Sequence, residues 1–244
     1  MICSGHDSSE IVYAYLRLGT MAYDQSDETK LNQMLICAEE YSQYFQKLYG
    51  NTNNAAENYI NTAAYLWSYG YDMAGFLRLS NKAKDILEEL LKDGADTGGY
   101  SQFDILSTKA VLERNLLEAY IIADQNLEFI ETLESLDKNP NISESYRVII
   151  EVLNAIRLMR KKDYKKAQQV LQSIIVKLEQ TAEYICHWEW SGLIQWLNEE
   201  HSPDLVETNA QIKLVIEAMD CDISDQSERL KKLRAVAKWL KRVQ

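Results

Sequence analysis

Residues 149–178 read IIEVLNAIRLMRKKDYKKAQQVLQSIIVKL. Two apolar stretches flank the polar turn KKDYKKA at 161–167. Val152, Ala155, Ile156, Leu158 and Met159 precede it, and Ala167, Val170, Leu171 and Ile174 follow it. Recurrence at three and four is the period of an amphipathic helix. Asp163 is a residue of the type that caps a helix by accepting from free amides of its first turn. The stretch therefore predicts a helix over about 144–160, a tight turn, and a second helix opening at Asp163.

The same period runs outward in both directions. A first helix is expected from Ser8 or Ser9, with a stripe of Ile11, Tyr15, Leu18 and Met21 or Ala22. Asp27 or Ser26 caps a second, through Leu31, Leu35, Ala38, Tyr41, Phe45 and Leu48 to Gly50, a favoured residue just past a helix end. NTNN at 51–54 starts a third, through Tyr59, Ala63, Leu66 and Trp67, and a fourth runs from about Asp72 to Leu91. GADTGGYS at 94–101 is a loop. Helices over about 103–123 and 127–136 follow, and Pro140 cannot continue the latter. A ninth is expected over about 182–197. Ser202-Pro203 then opens one that ends near Met219, and Ser224 or Ser227 opens the last. No alternating β-branched run marks a strand. The expectation is an all-α chain of about eleven helices, an α-α superhelix of antiparallel hairpins, because short connections force antiparallel neighbours. Residues 1–201 would form the body and 202–244 a C-terminal cap of one continuous domain.

The 149–178 window resembles the tetratricopeptide repeat, a helix–turn–helix of ~34 residues. Asp163, Tyr164 and Ala167 match the turn of that family and the alanine at its tightest contact, and Ala155 is the small residue of the first helix. The bulky aromatic usual early in the first helix is missing, with Glu151 near its place. Weaker copies lie at 58–91 (Tyr65, Gly70-Tyr71, Ala74), at Leu18-Gly19 with Ala22-Tyr23, and from Ala119-Tyr120 to Pro140. The resemblance covers about half the chain and implies a concave face that holds a segment of another protein. In that register Tyr59, Ala63, Trp67, Val152, Ile156, Met159 and Arg160 point inward as candidate partner-binding residues.

The formal net charge is −11, which argues against general nucleic-acid binding, since that relies on Lys and Arg at phosphates. The charge is unevenly placed. Of the 26 basic residues 7 fall in 229–244, which holds no acid, so the remaining 19 face all 37 acids, a balance of −18. Lys231, Lys232, Arg234, Lys238, Lys241 and Arg242 surround a stripe of Leu230, Leu233, Ala237 and Leu240. Such a helix is either a basic docking element or a cap that offsets the acidic body. The four cysteines are dispersed and not in CxxC pairs, the N-terminus lacks an apolar signal core, and no apolar run approaches a membrane span. A cytoplasmic protein is expected.

Catalytic signals are absent from the sequence. Cys3 with His6 and Cys186 with His187 fall short of the four convergent ligands of a zinc site. Gly94, Gly98 and Gly99 lack the Lys-Ser/Thr of a phosphate loop, and no GxSxG occurs. Glu39-Glu40 and Glu199-Glu200 read as solvated charge. Trp188, Trp190 and Trp196 line either core or a binding pocket, and the spacing of Trp188 and Trp196 on a common helical face favours core. The expectation is a non-catalytic interaction module that binds a protein or peptide segment and needs no metal or cofactor. The alternative is a regulatory or sensor subunit docking through its basic C-terminal helix. An enzyme without a recognisable motif is the third reading.

Overall fold

The structure, a computed structural model, describes residues 7–92, 94–181, 183–185, 187–220, 223 and 225–244, with side chains described from Glu10 onward. They form eleven helices: α1 (Asp7–Asp24), α2 (Glu28–Tyr49), α3 (Asn53–Ser68), α4 (Met73–Leu90), α5 (Gln102–Ile122), α6 (Asn126–Lys138), α7 (Glu144–Arg160), α8 (Tyr164–Gln180), α9 (Ser191–Glu199), α10 (Val206–Ala218) and α11 (Gln226–Arg242). A 3-10 turn, Pro203–Leu205, leads into α10. Among the described residues there is no strand.

Side-chain caps set the helix starts. Asp27 accepts from the Lys30 amide at 3.0 Å, Thr52 from Ala55 at 3.2 Å, Asp72 from Gly75 at 2.9 Å and Asp163 from Lys166 at 3.3 Å. Each satisfies an amide that has no partner within its own helix. Ser101 and Asp104 cap α5 reciprocally: the Asp104 carboxylate takes the Ser101 amide at 2.9 Å and the Ser101 hydroxyl takes the Asp104 amide at 3.2 Å. Gly75 has a further role, since a Cβ there would collide with the Asp72 carboxylate that caps α4. The last helix is capped by Asp225, which accepts from the Ser227 amide at 2.8 Å, and not by the expected Ser227, which lies within the first turn; the alternative, Ser224, lies outside the described residues.

One turn geometry recurs at four helix connections. Ser26, Tyr71, Asp124 and Lys162 sit between successive helices with φ of 57°, 52°, 57° and 58°. Directly after them, the amides of Asp27, Gln125 and Asp163 donate back to the carbonyls of Ala22, Tyr120 and Leu158, five residues earlier. The α3–α4 turn is one residue longer, and there Asp72 reaches Leu66. The carbonyl of that same residue then accepts the first bond of the next helix, from Leu31, Phe76, Phe129 and Ala167. All four of these are buried. A left-handed residue followed by a cap thus closes one helix, opens the next and aims the same position of the second helix at the core.

The chain divides into two compact units, residues 1–119 with 136–141 and residues 120–135 with 142–244, the division passing through α5 and α6. In the first, α1 packs on α2, α3 packs on both, and α4 packs on α3. Val12, Leu16, Ala22, Leu31, Leu35 and Ala38 form a core against which Tyr15, Tyr41, Tyr65 and Tyr69 lie. This corrects the stripe expected for α1. Ile11, Leu18 and Met21 are exposed, and the buried face, Val12, Leu16 and Ala22, lies to one side of them. The helix carries two apolar stripes, and periodicity alone does not say which one meets α2.

In the second unit α7 packs on α8, α8 on α11, α11 on α10 and α10 on α7, so four helices close a ring. Leu233, Val236 and Leu240 of α11 are fully buried within it. The helices α10 and α11 are therefore integral to the packing of this unit. The expected ninth helix is shorter than its pattern suggested, spanning Ser191–Glu199 only. Thr181 leaves the helical region at φ −157°, ψ 144°, and its hydroxyl accepts the Glu183 amide at 3.1 Å. That local bond competes with continuation of the helix.

Candidate functional site

The residues expected on a concave face lie inside the units instead. Tyr59, Ala63, Trp67, Val152, Ile156 and Met159 are each at most 7% exposed. Tyr59 donates its hydroxyl to Gln46 at 2.7 Å, and the Trp67 indole donates to Glu118 at 2.8 Å. A partner cannot reach these six side chains in the folded chain. Their apolar spacing fits the inside of a hairpin as well as its outer face, and the burial corrects the assignment. Arg160 is likewise engaged: its guanidinium donates to Asn209 at 2.9 Å and to Glu200 at 3.0 Å, and lies 4.6 Å from the centroid of the Trp196 ring. It ties α7 to α9, α10 and the segment between them. The two acidic pairs read as solvated charge each contribute one structural carboxylate. Glu200 is held here, and Glu39 takes both nitrogens of Arg78 at 2.5 and 2.8 Å. Arg78 holds the Glu39 carboxyl below its usual range.

The basic C-terminal helix divides. Lys232 pairs with Glu217 at 2.7 Å and Arg234 with Glu179 at 2.6 Å, while Lys231, Lys238, Lys241 and Arg242 are exposed. Two buried residues went unnoticed in the sequence. Trp239 packs edge-to-face on Tyr164, with ring centroids 5.5 Å apart, and donates its N–H to Glu207. Arg229 donates to the carbonyls of Ala218 and Ile223, closing the end of α10 with a cation where the helix dipole is negative. The only signal for either was its heptad position beside the leucine stripe.

A cleft of about 370 Å³ opens where residues 187–190 pass the start of α9 and the end of α10. Because residues 187–190 are not helical, the shared helical face of Trp188 and Trp196 does not exist. Trp188 and Trp190 stand next to each other instead, ring centroids 6.1 Å apart and planes inclined by 56°. Both line the cleft, with Ile194 and Ile216 supplying aliphatic wall and Glu189, Glu217 and Asp220 supplying carboxylates. Glu189 also takes the Ser191 amide at 3.3 Å, at the start of α9. Trp190 is only 6% exposed, and its indole N–H has no acceptor. Trp188 and Trp196 are half-buried, so of the three tryptophans Trp190 alone is core.

No group of three or more His, Cys, Asp or Glu among the described residues could hold a metal ion. Cys3, His6 and Cys186 of the candidate metal pairs lie outside those residues, as does Cys221, and His187 is exposed on the cleft. No described helix is long and apolar enough to cross a membrane. No family model, curated protein or solved structure matches the chain.

Proposed function

We propose that the chain is a non-catalytic interaction module, built of tetratricopeptide-like helical hairpins, that binds a segment of another protein. The observation that carries the reading is the cleft between Trp188, Trp190 and the end of α10. Tryptophan is the residue type most enriched at binding hot spots. A half-buried tryptophan beside carboxylates and aliphatic wall offers both contact area and orientation to a ligand. The recurrent turn supports the repeat part of the proposal, because three of the four windows that resemble the family contain it and the fourth, Leu18 to Tyr23, runs into it. The docking alternative keeps four exposed cations on α11 but loses its apolar half, since Leu230, Leu233, Val236 and Leu240 are covered within the unit. That supports a cap.

The test is affinity capture from native lysate with the wild-type chain and with Trp188→Ala, at low salt and at ~0.5 M, where exposed ion pairs are screened. The expected outcome is one stoichiometric protein held by the wild type and lost by the variant. Identical capture by both chains would sink the cleft as the binding site. A partner lost only when Lys231, Lys238, Lys241 and Arg242 are neutralised would move the function to α11.

A further inference from the structure

We propose that the chain pairs with a second copy of itself through the outward face of the α1–α2 hairpin, about a two-fold axis that passes α1 at the level of Leu16. The inference goes beyond the interaction module and does not draw on its cleft. It starts from a stripe that the fold leaves over. α1 turns Gly19 to α2, where a Cβ would lie 3.6 Å from Leu31 and 3.7 Å from Met34. It turns Tyr13 to α3, where Asn61 donates to the Tyr13 hydroxyl at 3.1 Å. Ile11, Ala14, Leu18 and Met21 recur at three, four and three, within an arc of ~80° that lies on neither of those sides. All four are exposed, the three larger ones by 36%, 40% and 55%. Ala22, three turns after Ile11 and in line with it, packs in the core with Leu31 and Leu35, so this stripe borders α2. A second stripe lies on α2, where Met34, Cys37, Tyr41, Tyr44 and Leu48 recur at three and four. Met34 meets the Gly19 side of α1, which places that stripe along the edge of α2 that borders α1. Tyr44 and Leu48 are 57% and 53% exposed. The two stripes thus form one apolar surface along the seam of the hairpin.

A stack of helical hairpins needs polar end faces to stay in water. This end is apolar instead. Ile11, Leu18, Met21, Tyr44 and Leu48, each about half exposed, leave on the order of 400 Å² uncovered. A standard interface takes ~800 Å² from each partner, a little over half of it apolar. One hairpin face therefore brings nearly the apolar share that a stable dimer needs from each copy. The pattern of α1 selects the occupant. About residue 16 its stripe is mirrored, Ile11 with Met21 and Ala14 with Leu18. Two α1 helices that meet antiparallel on that centre set Leu18 of each copy against Ala14 of the partner copy, a branched side chain into the gap above a methyl. Ile11 meets Met21 in the same way. A patch that complements itself is what a two-fold contact requires. Neither stripe contains a charged residue, and Glu10 and Arg17 stand exposed at the rim, in water. Each copy carries a net charge of −11, so the copies repel and apolar contact holds them together. Added salt screens that repulsion and does not loosen the pair.

The test is sedimentation equilibrium of the full-length chain at about 1–100 µM, at low salt and at ~0.5 M, with helical circular dichroism as the check that each variant is folded. The expected result is a dimer with a Kd of about 10 µM that is no weaker at high salt. Leu18→Glu is expected to raise the Kd ~100-fold and Leu18→Ala ~10-fold. Ala14→Leu combined with Leu18→Ala moves the large residue to the mirrored place, and is expected to return the Kd to within ~3-fold of the wild type. Ile36→Glu serves as the control. Ile36 is 58% exposed on α2 but ~100° round the helix from Cys37, away from the stripe, and its replacement is expected to leave the Kd unchanged. A wild-type chain that is monomeric at ~100 µM would overturn the proposal. So would a dimer that Leu18→Glu leaves intact, one that Ile36→Glu breaks as readily, or one that salt dissociates. A double variant no tighter than Leu18→Ala alone would overturn the two-fold arrangement about residue 16.

Discussion

The Trp67 indole N–H donates to a carboxylate oxygen of Glu118 at 2.8 Å, with both residues buried in the first unit. The bond joins the last turn of α3 to α5 and gives a large ring a satisfied polar edge. Trp67→Phe keeps most of the ring and removes the donor. The expected cost is about 1–3 kcal/mol, because a buried acceptor loses a partner that water does not replace. Chemical denaturation of the two proteins measures it. A change within the error of the extrapolation would show that the bond contributes nothing net.

Two glutamates should tilt stability with pH in opposite directions. Burial raises the pKa of Glu57 above its usual 4.5, against the opposing hydrogen bonds from Thr108 and Asn53. The folded state then holds that proton more tightly than the unfolded state, so this group costs stability as pH rises above about 4.5 through the folded value. Glu200 is lowered to about 2, first by its hydrogen bonds from Ser202 and then by Arg160. Its contribution is fully present above about 4.5 and is lost as pH falls towards about 2. Glu57→Gln is expected to stabilise the chain at neutral pH, and Glu200→Gln to flatten the acid limb of a stability–pH curve. Curves of the wild type and both variants that superimpose after a vertical offset would refute both assignments.

Ala167 is fully buried in the first turn of α8, next to the Asp163 cap. Ala167→Leu inserts three carbon atoms where α8 meets its neighbours. The expected cost is about 1–3 kcal/mol from displaced side chains and backbone. The exposed Val176 on the same helix serves as the control, since Val176→Leu is expected to be neutral within ~0.5 kcal/mol. Thermal melts of the two variants decide whether the alanine is there for space or only for helix propensity.

Leu233 on α11 is fully buried in the ring of α7, α8, α10 and α11. Leu233→Ala is expected to cost about 2–5 kcal/mol, the range for a core truncation. Removal of residues 224–244 should unfold the second unit outright, with loss of helical circular dichroism beyond that of the deleted segment. Retention of the remaining helical signal by the truncated chain would show that α11 is an appendage, and would return the basic face to consideration as a docking element.

Much of the fold could be read from residue patterns, for reasons visible in the structure. Asp27, Asp72, Asp163 and Gly50 act locally, through one or two bonds within a single turn, and local chemistry is legible in a linear string. The facing of each helix is not local. Ile11, Leu18 and Met21 have the spacing of a core stripe, and only the position of α2 and α3 shows that Val12, Leu16 and Ala22 are the buried set. The same ambiguity misplaced Tyr59, Trp67, Val152 and Ile156, which look alike whether a groove or a hairpin interior lies in front of them. The cleft was half legible. The cluster Trp188, Glu189, Trp190 stood out, yet the helix assumed for it would have separated the two rings that the non-helical segment brings together. Nothing in the sequence joined that cluster to Glu217 and Asp220, because the juxtaposition depends on how α9 packs on α10.

The four matching turns also divide the chain by its tolerance to changes in length. At Ser26, Tyr71, Asp124 and Lys162 an extra residue has to be absorbed inside the backward bond, as the α3–α4 turn absorbs one by reaching back six residues instead of five; one that is not absorbed rotates the next helix by ~100° away from its core. Between hairpins the constraint lapses. Gly94, Gly98 and Gly99 in the α4–α5 connection have positive φ, and a Cβ added to any of them would meet no atom within 4 Å. Growth of this chain by insertion, or the engineering of a tag or a second binding loop into it, is therefore directed to sites such as residues 95–99, while the turns between helices accommodate no more than the one extra residue found at α3–α4.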